Sequence, residues 1–408
     1  MGEEQEFREE GRLVAGVDIG TTKICVVIGE VFPDEIEIIG VGTTASMGLK
    51  KGVIVNIEST VESIRNAVRE AEDMAECDVD TVYVGIAGSH IKGFNSPGIL
   101  AINNQEITNR QIDEVIHAAQ TVKISDNQRI IHVLPQEYMV DDHTGIQNPL
   151  GMTGVRLVTN VHIVTADITA IHNLYTSCNR AGLQVKQIVL ESVASALTVL
   201  TKEEKEIGVA LVDIGGGTTD LAVFANGTIK HTWELGLGGN NLTNDLSIGL
   251  VTPLQEAERL KYLYGGALSE MIKENHVVEV PTVGERRPRK VSQRVLVEIL
   301  EARIEEILQL VNQELIDSGY KERINSGIVI TGGTALLDNI TELAEQIFDS
   351  PVRIGYPEGV SGKVEEIDSP RCSAAVGLML FGSKDETRKH QGPTGMMGRM
   401  ASWLKNIV

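Results

Sequence analysis

One short motif occurs in both halves of the sequence. Residues 16–30 read GVDIGTTKICVVIGE, and residues 211–223 read LVDIGGGTTDLAV. Each copy places Asp-Ile-Gly and a pair of threonines between apolar segments that are typical of buried strands. In a glycine turn between two strands, several backbone N–H groups can point at one anion, and the missing side chain allows a phosphate to come close and φ to be positive. Two such turns in two similar domains would contact one polyphosphate from both sides, so the repeat predicts a nucleotide site in a cleft.

The two turns supply the residues expected to contact the phosphates and a metal ion. Asp18 and Asp213 end the strands that lead into the turns, where their carboxylates would hold Mg²⁺ through its water molecules. Either turn alone could be an ordinary β-hairpin turn, but the repeat, together with a third glycine turn in ITGGTALL that could cover a base, favours a nucleotide. The residues predicted to contact its phosphates are Gly20, Thr21, Thr22, Lys23, Gly215, Gly216, Gly217, Thr218 and Thr219.

Both halves of the chain follow the same order of predicted elements. Three strands come first, then one or more helices, and then a buried strand that runs into glycines. The first half runs from LVAGVDIG to TVYVGIAGSH, and the second repeats the order from GVALVDIG to GIVITGGTALL. The repetition predicts a duplicated α/β domain, with insertions over residues 89–159 in the first half and about 244–323 in the second.

Composition excludes several classes of protein. The 408 residues carry a formal net charge of −21, which argues against general nucleic-acid binding because phosphate contacts need clustered Lys and Arg. The four cysteines are far apart, without the spacing of a zinc site or the density of a disulfide scaffold, so we expect a reducing cytoplasm. The acidic start MGEEQEFREEGR is unlike a signal peptide. The sequence contains no apolar run of about 18 residues, so we expect no membrane span.

The turns resemble the two phosphate loops of the actin, Hsp70 and sugar-kinase superfamily, and ITGGTALLDNI resembles its adenosine motif. The resemblance implies a duplicated actin-like (ribonuclease-H-like) two-domain α/β ATPase fold that binds ATP and Mg²⁺, with Gly332, Gly333 and Leu336 at the adenosine. EAERLK is similar to the stretch that reaches the ribose, here through Glu258 and Lys261, although Glu and Lys three apart on a helix are often a solvated pair. ESVASAL (191–197) and SPRCSAAVGLMLFG (369–382) resemble the two connecting helices of the superfamily's hinge.

The insertions resemble one branch of this superfamily. RIIHVLPQEYMVDDHTGIQNPLGMTGVRL (129–157) is similar to the inserted subdomain of the FtsA family of bacterial cell-division proteins, and LGLGGNNLTNDLSIGLVTPLQEAERLKYLYG also resembles that family. The domain division implied is an acidic tail over 1–12; subdomain 1A over 13–88, 160–203 and 372–383; inserted subdomain 1C over 89–159; subdomain 2A over 204–243 and 324–371; subdomain 2B over 244–323; a flexible linker over 384–394; and a membrane-targeting helix over 395–408.

The family resemblance implies a peripheral protein on the cytoplasmic side of the cell membrane at the division site. Such a protein polymerises with itself, tethers filaments of the tubulin-like protein FtsZ and recruits later membrane proteins of the division machinery. The second-half insertion is implied to hold the C-terminal peptide of FtsZ, and its basic segment GERRPRKVSQR suits carboxylates, which arginine binds bidentately. A solvated loop is the other interpretation of that segment. The candidate FtsZ-binding residues are Arg286, Arg287, Arg289, Lys290 and Arg303.

The C-terminal segment GMMGRMASWLKNIV has an amphipathic pattern. Its apolar residues recur at helical spacing, whereas Arg399, Ser402 and Lys405 lie on the opposite face. Basic residues opposite an apolar stripe with a Trp are typical of a helix that lies in a membrane surface. A helix docked on the protein's own core is the alternative. The residues predicted to enter the lipid are Met396, Met397, Met400, Trp403, Leu404 and Ile407.

Two other functions share the predicted fold. A pilus-assembly ATP-binding protein related to FtsA would be expected to lack the C-terminal amphipathic helix. A kinase or phosphatase would need a general base beside a small-molecule pocket, and the sequence indicates no such residue. For the same reason the catalytic residues stay unassigned. We expect at most a slow ATPase in which ATP acts mainly as a conformational ligand.

Overall fold

The computed structural model of the chain describes residues 11–283 and 287–389. The first half begins with a three-stranded antiparallel unit followed by a helix and a parallel strand. Its strands and helix are β1 (Arg12–Ile19), β2 (Lys23–Val31), β3 (Ile36–Ala45), β4 (Leu49–Lys50), β5 (Val53–Ile54), α1 (Ile57–Ala75) and β6 (Thr81–Ile86). Residues 20–22 connect β1 to β2, and we call them the first phosphate turn after the ligand predicted for them. The two strands are antiparallel, with Asp18 opposite Cys25. α1 packs so closely on β3 that a side chain at Gly40 or Gly42 would overlap carbonyl oxygens of the helix.

The first insertion is a four-stranded antiparallel sheet with one helix on it. It comprises β7 (Lys92–Glu106), α2 (Asn109–Gln120), β8 (Gln128–Val140), β9 (His143–Ile146) and β10 (Thr153–Asp167), in the sheet order β7-β10-β8-β9. A separate apolar core lies between α2 and the sheet. The boundary predicted at residue 159 falls inside β10, and the chain leaves this sheet only at Asp167, which caps the next helix.

The chain then returns to the first half. Helix α3 (Ile168–Ala181), strand β11 (Gln184–Leu190), helix α4 (Glu191–Val199) and helix α5 (Lys202–Ile207) follow in order. β11 completes the first sheet, whose order is β11-β6-β1-β2-β3 with the short strand β19 (Ser361–Gly362) at its edge. One apolar core surrounds this sheet and includes α4.

The second half repeats the first. Its elements are β12 (Val209–Ile214), β13 (Thr219–Ala225), β14 (Thr228–Leu235), α6 (Gly239–Leu250), α7 (Leu254–Tyr264), β15 (Val277–Val280), β16 (Arg289–Ser292), α8 (Gln293–Asp317), β17 (Ile328–Thr331), α9 (Ile340–Phe348) and β18 (Val352–Ile354). β12 and β13 are antiparallel and flank the second phosphate turn (residues 215–218), and β12 pairs in parallel with β17, as β1 does with β6. The sheet order is β14-β13-β12-β17-β18. The duplicated α/β plan predicted from the repeated motif is therefore confirmed.

Two helices connect the halves. α4 and α10 (Ser373–Lys389) cross in contact, and a side chain at Gly377 would overlap the carbonyl oxygen of Ala194. α10 continues to Lys389, so the first six residues of the linker predicted over 384–394 are helical. The rest of that linker, the helix predicted over 395–408 and the acidic tail predicted over 1–12, except for its last two residues, lie outside the described residues. Within the described part of the chain, no helix has the length and apolarity needed to cross a membrane.

Candidate functional site

The two phosphate turns face each other across a cavity of about 240 Å³ between the halves. Because the carboxyl-terminal ends of β1 and β12 point into the same cleft, the turns that follow them converge there. Of the residues predicted for the nucleotide and the metal ion, all but Thr219 line this cavity. Thr219 is fully buried and donates its hydroxyl to the carbonyl oxygen of Leu237 at 3.0 Å, so its side chain does not face the cavity.

The glycines of the turns make room for the opposite turn. A side chain at Gly216 would overlap the hydroxyl of Thr22, and one at Gly217 would overlap the hydroxyl of Thr21. Thr22 also donates to Asn240 Oδ1 at 3.3 Å, so the two halves are hydrogen-bonded across the cleft. Gly20 and the three glycines of the second turn do not have positive φ, contrary to the conformational reason predicted for them.

The third glycine turn does depend on positive φ. Gly332 has a φ of 86°, and a side chain there would lie 2.6 Å from the carbonyl oxygen of Ile214. The 3₁₀ turn Gly333–Leu336 follows at once and forms one wall of the cavity. Leu336 is 46% exposed, so an apolar side chain is available to a flat ring.

Glu258 and Lys261 form an ion pair that also lines the cavity. The Lys261 ammonium lies 2.8 Å from Glu258 Oε2 and also donates to the carbonyl oxygen of Gly239 and the hydroxyl of Thr243. These contacts tie α7 to the start of α6 beside the second phosphate turn. The pair is therefore held in place at the cavity, unlike a freely solvated Glu–Lys pair.

Asp18 and Asp213 lie in the cavity with little positive charge to balance them. Burial raises the pKa of Asp18 to about 6 and that of Asp213 to about 7, because removing a carboxylate from water disfavours its charged form. Ser195 donates to Asp213 at 2.8 Å, and the Lys23 ammonium lies 4.0 Å from Asp18. Among the described residues, no oxygen atom accepts a hydrogen bond from that buried ammonium. Two carboxylates beside an ammonium that lacks an oxygen acceptor fit a cation–phosphate ligand such as a magnesium nucleotide.

A directly ligated metal has less support than one held through water. Among the described residues, no group of three or more His, Cys, Asp or Glu side chains is arranged to coordinate an ion. Mg²⁺ commonly keeps several of its waters and uses one or two carboxylates together with phosphate oxygens. Asp18 and Asp213 fit that mode of binding.

Sequence reasoning missed three further acidic residues at the site. Glu191 begins α4 and lines the cavity, and burial holds its pKa well above the usual range, with Asp18 and Asp220 adding to the effect. Asp220 also lines the cavity, and Glu234 is its directly paired neighbour on β14. Glu191 lies within ESVASAL, which was assigned only to the hinge; its position directly after a buried strand was the available signal.

The basic residues predicted for a peptide site have separate environments. Arg287, Arg289 and Lys290 are exposed around β16, and Arg289 also donates to the carbonyl oxygen of Leu250. Arg303 on α8 instead lies 2.5 Å from Asp245, and it pairs with Glu306 as well, so its charge is balanced within the chain. Arg286 lies outside the described residues.

Comparison with known proteins agrees with this architecture. The family model "Cell division protein FtsA" matches residues 210–377, and "SHS2 domain inserted in FTSA" matches residues 88–165. The cell division protein FtsA of Pseudomonas aeruginosa is 46% identical, with 93% of this chain and 91% of that protein covered. The FtsA of Escherichia coli K12 is 38% identical, with 97% and 96% covered.

Solved structures of low sequence identity share the fold. A PilM-PilN type IV pilus biogenesis complex matches with a TM-score of 0.66 at 15% identity, over 91% of this chain and 98% of the matched one. MreB5 of Spiroplasma citri bound to ADP matches with a TM-score of 0.58 at 16% identity, over 94% of this chain and 100% of the matched one. The MamK double helical filament matches with a TM-score of 0.52 at 14% identity, over 94% of this chain and 100% of the matched one. The fold is thus actin-like with an SHS2 insertion, and on the sequence identity over nearly its whole length the chain belongs to the FtsA family of cell-division proteins.

Proposed function

We propose that this protein binds MgATP between its two phosphate turns and uses it mainly as a conformational ligand. The observation that carries the proposal is the convergence of the two turns, with Asp18, Asp213 and the buried Lys23 ammonium, on one cavity. The likeness to a structure of MreB5 bound to ADP supports the same ligand class. Gly333 and Leu336 would contact the adenosine, and Glu258 and Lys261 the ribose.

Hydrolysis would be slow in this arrangement. Glu191 is the side chain in the cavity that could orient a water molecule, but burial and neighbouring carboxylates favour its protonated form, which is a poor base. We therefore expect turnover well below ~10 s⁻¹, an ordinary enzyme value. Isothermal titration of ATP with and without Mg²⁺ tests binding, and phosphate release under the same conditions tests turnover.

We further propose that the protein polymerises on the cytoplasmic face of the membrane and tethers FtsZ there. The likeness to the MamK double helical filament supports self-assembly of an actin-like chain. The exposed basic residues Arg287, Arg289 and Lys290 support an acidic peptide as a ligand, and apolar side chains nearby on α6 and α7, Ile248 and Leu254, are exposed enough to contribute. Later division proteins would then join the assembled polymer.

Attachment would use the C-terminal amphipathic segment. Sedimentation of the full chain with anionic liposomes, with and without MgATP and FtsZ, tests the proposal as a whole. We expect the protein to pellet with liposomes, more so with MgATP, and to carry FtsZ into the pellet. FtsZ remaining in the supernatant while this protein pellets would contradict the tether.

The alternative of a pilus-assembly protein has weaker support. The PilM-PilN likeness is at 15% sequence identity and therefore concerns the fold alone, whereas the FtsA relatives are 33–46% identical over nearly the full chain. The sedimentation experiment distinguishes the two, because only the tether predicts co-sedimentation of FtsZ.

A further inference from the structure

Strand β14 carries three buried polar side chains on one face. Lys230, Thr232 and Glu234 alternate along the strand and are between 2 and 9% exposed. Trp233 and Leu235 point to the other face and pack against the second apolar core. Polar groups are seldom buried without hydrogen-bond partners, so the polar face of β14 requires a polar surface opposite it. The inserted sheet supplies that surface.

His162 of β10 is the central contact between β14 and the insertion. It is fully buried, and burial lowers its pKa to about 3, so the ring is neutral. Its Nδ1 lies 2.7 Å from the amide oxygen of Asn95, which can only accept, so Nδ1 carries the proton. Nε2 therefore accepts from the hydroxyl of Thr232 at 2.8 Å. A side chain at Gly93 would overlap that hydroxyl, which explains the glycine there.

Further hydrogen bonds join the insertion to the backbone of β14. Gln136 donates to the carbonyl oxygen of Ile229 at 3.0 Å and to Asn95 Oδ1 at 3.1 Å. Asn95 in turn donates to the carbonyl oxygen of Lys230 at 3.1 Å. We call the contact formed by Asn95, Gln136, His162, Lys230 and Thr232 the β14 interface. Because its contacts are directional hydrogen bonds, the interface fixes one position of the insertion on the strand.

The same strand is joined directly to the second phosphate turn. β13 starts at Thr219, immediately after that turn, and pairs with β14 so that Ala222 lies opposite Thr232. Glu234, two residue pairs closer to the turn, accepts from the N–H of Gly88, where the chain enters the insertion, at 3.5 Å. One strand pair therefore joins the second phosphate turn to the residues that hold the insertion.

We propose that the β14 interface couples the nucleotide in the cleft to the position of the inserted subdomain. A change of the second phosphate turn shifts β13 and β14 together, and His162, Asn95 and Gln136 carry that shift into the inserted sheet. The surface that the insertion offers to other molecules then differs between nucleotide states. This inference rests on the proposed nucleotide binding. The coupling requires that the nucleotide bind one position of the insertion more tightly than the other, because a ligand shifts an equilibrium only by its difference in affinity for the two states.

Hydrogen exchange of the full-length protein, measured with and without MgATP, tests the coupling. In the wild type we expect MgATP to slow exchange at both phosphate turns and also to change it in residues 92–106 of the insertion. Thr232→Val removes the hydroxyl donor while keeping the shape of the side chain. It should leave the ATP dissociation constant and the protection of the turns unchanged, and abolish the change in 92–106.

Thr159→Val is the matched control. Thr159 is equally buried and lies on β10, but its hydroxyl donates to Glu137 within the insertion, so this variant should behave as the wild type. Thr232→Ser keeps the donor and should also retain the response. Protection of the turns without any change in 92–106 of the wild type would overturn the coupling and leave nucleotide binding intact. A full response in Thr232→Val would overturn the role of the interface. Absence of ATP binding by titration would instead refute the proposed function.

Discussion

The hydroxyl of Thr22 occupies the space beside Gly216 in which a side chain would begin. The glycine of one phosphate turn is therefore required by the threonine of the other, across the cleft. This relationship connects the two copies of the repeated motif: each turn is shaped partly by its counterpart. It also predicts how substitutions in the turns will differ.

Gly216→Ala should weaken ATP binding by about tenfold or more, equivalent to ~1.4 kcal/mol, because the turns can no longer approach each other. Gly215→Ala is the control, since its side chain would meet only ordinary contacts, the nearest at 3.5 Å. Isothermal titration of both folded variants measures the difference. Equal losses would mean that the glycines serve the approach of phosphate instead of the packing of the turns.

Ligand-free protein should lose stability as pH rises from about 4 to about 7. The pKa values of Asp18 and Asp213 are raised to about 6 and about 7 in the fold, so between an unfolded value near 4 and these values the folded state holds more protons. Binding of Mg²⁺ and ATP should release those protons. Asp213→Asn should reduce both effects, measured by thermal unfolding across pH and by titration in buffers of different ionisation enthalpy. An unchanged proton release in that variant would place the titrating group elsewhere.

Charge reversal at the basic segment should weaken binding of an acidic FtsZ tail peptide. Arg287→Glu with Lys290→Glu changes two exposed side chains, and each exposed pair is worth only ~0.2–1 kcal/mol, so the double variant is needed to see the loss. Fluorescence anisotropy at low and high salt measures it, and the difference from the wild type should shrink as salt rises. Undiminished binding at low salt would exclude this surface.

Arg303→Glu is expected to act through stability as well. The substitution removes the partner of Asp245 and places like charges together, so the melting temperature should fall. A loss of peptide binding in that variant is attributable to the surface only if the fold is retained.

Trp403→Glu should release the protein from anionic liposomes. Burying each large apolar side chain contributes roughly 1.5–3 kcal/mol, so six supply on the order of 10 kcal/mol before the costs of ordering and association. A single segment would then bind reversibly, and a polymer would hold on through multiple attachments. Ser402→Glu adds the same charge on the polar face and should retain attachment. Co-sedimentation of Trp403→Glu, or its unfolding, would indicate a docked core helix.

The sequence could predict the duplicated fold because its strongest signals are local. A strand that runs into a glycine turn is recognisable within about ten residues, and both halves carry it. The same local logic also shows a limit at Thr218 and Thr219. Thr218 directly precedes β13 and Thr219 is its first residue, so continuing the alternation of the strand places their side chains on opposite faces. Only Thr218 lines the cavity, as the alternation would have indicated.

Contacts between distant segments could not be predicted in this way. Arg303 meets Asp245, and His162 meets Thr232, through positions that no periodicity links. The cluster of acidic side chains at the site also comes from segments that are far apart in the sequence. Glu191 and Glu234 lie in different elements, and only the fold places both of them close to Asp220.

The crossing of α4 and α10 at Gly377 limits how the cleft can open. No side chain separates the two backbones there, so the helices cannot move closer together, and a sideways translation would drive Ala194 into the neighbouring turns of α10. What remains is rotation about the contact point, in which displacement grows with distance from the axis. Both helices begin at the cavity wall, with Glu191 and Ala374 lining it. A small rotation between the two halves therefore displaces these residues little, because they lie close to the contact point, and displaces the parts of each half farthest from it the most.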